Sequence, residues 1–85
     1  MSMVTLVFLG KFRGLARDDF AADLPPDVRT LADLRAWITG RDPALGEAMA
    51  GTRTQLVLNH EIVRDMTRAV SDGDEVAFLP PMSGG

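Results

Sequence analysis

The chain has no cysteine, a single histidine, a single lysine and a single tryptophan in 85 residues. Without cysteine there is no disulfide, no thiolate metal site and no cysteine nucleophile, although this says nothing about compartment. One histidine, His60, leaves a zinc centre or a histidine-based triad without its parts. One lysine, Lys11, leaves few sites for chain building through lysine side chains. Long apolar runs are also missing. The longest near the start, Val4 to Leu9, is far too short to cross a bilayer. It lacks the basic flank and small-residue cleavage site of a signal peptide, so the expected location is cytoplasmic. Basic residues are outnumbered twelve to nine, giving a net charge of −3, which argues against nonspecific nucleic-acid binding.

What is present is enough for one folded domain. Hydrophobic residues make up 46% of the chain, too many for a disordered segment, and the length leaves no room for a second core. Val4 to Leu9 reads as a strand buried on both sides, followed by a helical turn from Lys11 to Ala16 with Phe12 and Leu15 as its buried pair. Asp19 to Leu24 alternates and stops at Pro25-Pro26, as an edge strand would. Thr30 caps the best helix, with Asp33 three residues on and Leu31, Leu34 and Ile38 at helical spacing beside Trp37; Gly40 is expected to close it. Asp42-Pro43 starts a second helix carrying Leu45 and Met49 and ending at Gly51. Gln55 to Leu58 reads as a strand, Asn59-His60-Glu61 as a turn and Ile62-Val63 as a short return. Ser71-Asp72-Gly73-Asp74 is a turn into a last strand, with Val76 and Phe78 on one face and Ala77 and Leu79 on the other.

Little along this path looks reactive. His60 sits in a polar turn with no partner nucleophile. Asp72, Asp74 and Glu75 are too few and too irregularly spaced for a calcium loop, and turn chemistry accounts for the two aspartates. Gly10 and Gly14 lack the Gly-Lys-Ser/Thr ending of a phosphate loop. No catalytic centre is evident. The candidate reactive group is the C-terminal carboxylate of Gly85. Pro80 and Pro81 fix φ and stop the last strand, Met82 and Ser83 form a joint, and Gly84-Gly85 make a tip without side chains. Such a tip fits a slot too narrow for any other residue.

These features together resemble the MoaD/ThiS-like sulfur carriers of ubiquitin-like fold, and among them the MoaD type, the small-subunit type of molybdopterin synthase. The residues that carry the resemblance are the opening strand Val4 to Leu9, Leu58-Asn59-x-Glu61, Asp72-Gly73-Asp74-Glu75-Val76 and the Pro-Pro-x-Ser-Gly-Gly end. The Pro-Pro and the length favour the molybdopterin type over the thiamine carriers. The resemblance implies an α+β, β-grasp fold. A mixed sheet would pack against one main helix over residues 1–79, with a flexible carrier tail over residues 80–85. It implies adenylation of Gly85 by an ATP-using activating enzyme (MoeB type), conversion to a thiocarboxylate by a sulfur donor, and transfer to cyclic pyranopterin monophosphate. That transfer would occur in the large subunit (MoaE type), which would supply the catalytic residues, so this chain is expected to be a carrier with no cofactor of its own. The resemblance also places a partner-binding patch on Leu9, Ile62 and Leu79, where the family often has aromatic residues at the first and last positions. Two alternatives stay open: a carrier or modifier serving another acceptor (thiazole, cysteine or tRNA thiolation), and a β-grasp interaction domain whose Gly-Gly is incidental.

Overall fold

The computed structural model describes residues 2–16, 20–50 and 53–80. Alternation of side chains along each strand organises the sheet. Strands β1 (Ser2–Phe8), β2 (Phe20–Leu24), β3 (Gln55–Leu58), β4 (Glu61–Val63) and β5 (Glu75–Leu79) pair in the order β2-β1-β5-β3-β4. Only the β1–β5 pair is parallel; the other three pairings are antiparallel. Val4, Leu6 and Phe8 of β1 turn to one face with Val76 and Phe78 of β5 and with Leu56, Leu58 and Val63, and all are buried. Phe8 and Phe78 lie opposite each other in register and stack at 5.1 Å with their rings 13° apart.

The helices α1 (Lys11–Ala16), α2 (Leu31–Arg41) and α3 (Pro43–Ala50) complete the fold. Leu31, Leu34 and Ile38 of α2, Leu45 and Met49 of α3, and Phe12 of α1 are buried in one core with the inner-face strand residues. Trp37 is partly buried at the edge of that core. This is the expected β-grasp arrangement: a mixed sheet holding its main helix against one face.

The start of α2 is strongly satisfied. The Thr30 hydroxyl accepts from the Asp33 N–H at 3.1 Å, and the Asp33 carboxylate accepts from the backbone N–H groups of Arg29 and Thr30 at 3.0 and 3.1 Å. Further N–H donors of the first turn, on Leu31 and Ala32, reach the carbonyls of Arg68 and Met66 in the loop before β5. The backbone donation from Arg29, then that from Thr30, holds the Asp33 carboxyl below its ordinary value of 3.8. A depressed carboxylate stabilises the fold fully above the unfolded value, and the contribution is lost as pH falls through the folded one. Asp33→Asn is therefore expected to destabilise the protein at neutral pH. The difference from the parent should shrink in denaturation curves recorded well below pH 3.8.

Two local expectations are corrected, and a third falls on a residue outside those described. β1 has neighbours on both sides, but its outer face is open: Thr5 is exposed and Val7 half-buried, because all the helices that pack on the core do so from the other side. α2 does not end at Gly40. It runs on to Arg41, whose guanidinium lies 4.8 Å from the centre of the Trp37 ring one turn earlier, and Asp42 is its C-cap. Asp42 serves both helices, since its N–H donates to the Ile38 carbonyl and its carboxylate accepts from the Leu45 N–H. α3 ends at Ala50, and Gly51 lies outside the described residues.

Candidate functional site: a strand exit beside an open sheet face

The outer face of the sheet carries the exposed apolar side chains. Register places Val7 opposite Ala77, Ala77 opposite Val57, and Val57 opposite Ile62. These four residues make one row across β1, β5, β3 and β4. Ile62 is 60% exposed at the end of the row. Ala77 is buried, yet it is not part of the helix-side core cluster. One step further along the strands, Leu79 pairs with Gln55 and Leu9 follows β1, its N–H donating to the Phe78 carbonyl at 3.0 Å. Leu9 and Leu79 are both half-buried. Leu9, Ile62 and Leu79 thus share the outer face, and none of them belongs to the core. Val7, Val57 and Ala77 join them into a continuous surface. Sequence reasoning missed these three connecting residues.

The same end of the sheet is where the chain leaves β5. Leu9 and Gly10 lie beside Leu79 and Pro80. Gly10 has φ +59°, and a Cβ built on it would sit 2.7 Å from Pro80 Cγ. Gly10 is thus a seat for the proline that starts the tail, and Pro80 is half-buried over it. Gly10→Ala combines a left-handed backbone with this clash. Left-handed conformation alone costs roughly 1–2 kcal/mol for a residue with a Cβ. The variant is expected to lose at least that much in chemical denaturation and to shift the amide resonances of Leu79 and Gly10. Pro81, Met82, Ser83, Gly84 and Gly85 lie outside the described residues.

The Asn59 turn and the Asp72–Glu75 loop, far apart in sequence, are clamped together. Asn59 and His60 both take positive φ, at 49° and 71°, which a tight two-residue hairpin requires. The Asn59 side chain donates to Asp74 Oδ1 and accepts from the Glu75 N–H, each at 2.9 Å, and its own N–H donates to the Glu75 carbonyl. Asp72 Oδ1 accepts from the Met3 N–H at 2.7 Å, and Asp74 Oδ2 accepts from the Ser71 N–H at 2.7 Å. These carboxylates are therefore committed to binding β1, β3 and β5 together, and they hold the outer face in shape. His60 projects into solvent with its Nε2 3.9 Å from Glu75. Among the described residues no group of three His, Cys, Asp or Glu side chains is placed to hold a metal, and no helix is long and apolar enough to cross a membrane.

Comparison with known proteins bears on this arrangement. A model of the ThiS family matches residues 6–85. The chain is 29% identical over 83 residues to the molybdopterin synthase sulfur carrier subunit of Escherichia coli K12, spanning 98% of this chain and 100% of that one. It is 46% identical over 54 residues to the molybdopterin synthase sulfur carrier subunit of Chlamydomonas reinhardtii, covering 62% of this chain and 63% of that relative's length. Among solved structures, it is similar to a chain in the complex of subunits 1 and 2 of molybdopterin-converting factor from Helicobacter pylori 26695. The TM-score is 0.70 at 28% identity, over 98% of this chain and 99% of that one. SAMP1 from Haloferax volcanii superposes with a TM-score of 0.80 over 99% of this chain and 100% of its own, at 23% identity, a likeness of fold.

Proposed function

The chain belongs to the ThiS family, and on that premise we propose that it carries sulfur on Gly85 for the synthesis of molybdopterin. The observation that supports this most is the run of the family match through residue 85, together with near full-length similarity to a carrier subunit. An activating enzyme joins AMP from ATP to the Gly85 carboxylate and releases pyrophosphate. Carboxylate oxygen is a poor leaving group, and the adenylate makes its replacement feasible. A sulfur donor then displaces AMP and leaves a thiocarboxylate. The tail next enters the large subunit of molybdopterin synthase, where its sulfur passes to cyclic pyranopterin monophosphate; water then cleaves the acyl–sulfur bond, supplying the oxygen with which Gly85 returns as a carboxylate. Two carriers discharge for each dithiolene.

The parts of the chain fit this division of labour. Six residues from Pro80 to Gly85 reach on the order of 20 Å when extended, enough to enter a pocket beneath a partner's surface. The apolar row and Leu9, Ile62 and Leu79 are the surface on which a partner sits while the tail is inserted. The catalytic groups belong to the partners. A single-turnover reaction tests the proposal: thiocarboxylated chain, the large subunit and cyclic pyranopterin monophosphate should yield the dithiolene pterin with loss of one sulfur per carrier. Stable retention of the thiocarboxylate under those conditions, with transfer to a thiazole or tRNA system instead, would assign the chain to another acceptor.

A further inference from the structure

An open groove of about 650 Å³ runs along the β4 edge of the sheet, well inside the range of about 300–1,000 Å³ typical of ligand clefts. Its walls carry three arginines, Arg35 from α2, Arg53 from the approach to β3 and Arg64 from the end of β4. Leu56, Val63 and Met66 supply its apolar lining. Arg35 donates to the Met49 carbonyl at 3.1 Å, and neither Arg53 nor Arg64 has an ion-pair partner among the described residues. Three arginines lining one groove stand out on a chain whose net charge is −3. Arg35 ties α2 to α3, and the charges of Arg53 and Arg64 are left for a partner.

The groove also shares a residue with the apolar row. Ile62 ends that row on the outer face and lines the groove. A partner seated on Val7, Ala77, Val57 and Ile62 therefore reaches the arginines by continuing over the β4 edge. We infer that the groove seats an acidic, extended segment of the protein that covers the apolar row, with its carboxylates on Arg53, Arg64 and Arg35 and an apolar side chain against Met66 and Ile62. On the function proposed above, that protein is the large subunit, and the inference rests on that proposal. Guanidinium matches carboxylate geometry in paired hydrogen bonds, and the apolar lining suits a polypeptide better than a bare anion. A nucleic acid is disfavoured by the negative charge of the rest of the chain.

Binding of the chain to the large subunit, measured by calorimetry at low and high salt, tests this. Arg53→Glu/Arg64→Glu is expected to weaken binding on the order of tenfold or more at low salt and to lose most of the salt dependence of the parent. Arg29→Glu/Arg41→Glu makes the same change in net charge at residues outside the groove, and should bind within about twofold of the parent at either salt concentration. If the groove variant is unfolded by circular dichroism, Arg53→Gln/Arg64→Gln replaces it, with an expected loss of about threefold. Parent-like affinity of the folded groove variant would overturn the inference while leaving the carrier function intact. Equal weakening of both charge-reversed variants would also overturn it, by assigning the effect to overall charge. Failure of the parent itself to bind the large subunit would bring down the proposed function, and the groove's assigned occupant with it.

Discussion

A chain ending at Ser83 is expected to melt like the full-length chain and to accept no AMP from its activating enzyme. Gly84 and Gly85 carry no side chain to bury, and the last residues of a domain contribute little to its stability unless they are tied down. Thermal unfolding of the shortened chain should therefore be unchanged within error. The loss of charging, by contrast, should be complete, because the variant presents a serine carboxylate two positions short of the place the reaction needs. Residual charging above background would show that the tip is not the acceptor. A drop in melting temperature of several degrees would show that the tail packs on the domain.

The second large effect concerns the outer face. Ile62→Glu puts a carboxylate at the most exposed position of the apolar row, where it has solvent around it in the free protein. Surface substitutions of this kind shift stability by about 0.5 kcal/mol or less. In a complex, the same carboxylate would be desolvated among Val57, Ala77 and the partner. Loss of a buried interface anchor costs roughly 2–4 kcal/mol, or on the order of 30- to 1,000-fold in affinity for the large subunit. Leu79→Glu should act in the same direction, and its half-burial beside Pro80 makes its stability the more informative control. If Ile62→Glu binds as tightly as the parent, the row is not the docking surface. If Leu79→Glu unfolds the isolated chain, Leu79 is a structural residue and not an anchor.

How much of this was legible in sequence depends on the range of the contacts involved. The capping box at Thr30 and Asp33, the Asp42-Pro43 helix start, and the alternation of Glu75 to Leu79 are local signals. The structure shows each of them at those positions. The bounds of α2 were harder. Gly40 reads as a stop, but it keeps helical geometry, and the element runs on to Arg41 before Asp42 caps it. The open outer face of β1 is not legible, since an apolar hexapeptide does not reveal whether helices cover one face or both.

The site was partly legible. Leu9, Ile62 and Leu79 emerge from the resemblance, but the row that joins them depends on register between strands up to seventy residues apart. Val7, Val57 and Ala77 look like any core residues until the pairing is known. The Gly10 seat for Pro80 requires knowing that β1 and β5 are parallel neighbours. The arginine groove joins positions 35, 53 and 64, which no spacing rule connects. Asn59 and Asp74 carried a different message: the residues that make the family resemblance are there to lock one turn to another.

If Gly85 is the sulfur-bearing end of a carrier, the mass of the intact protein reveals it. The chain should be purified from its native host in a strain lacking the large subunit, so that charged carrier has no acceptor to discharge to. A fraction of the protein is expected to be heavier by the exchange of one oxygen for one sulfur. Fragmentation should place the change on Gly85, and the fraction should be absent from the chain ending at Ser83. A single unmodified mass in that strain, or sulfur located on any residue other than Gly85, would show that Gly85 does not carry the sulfur.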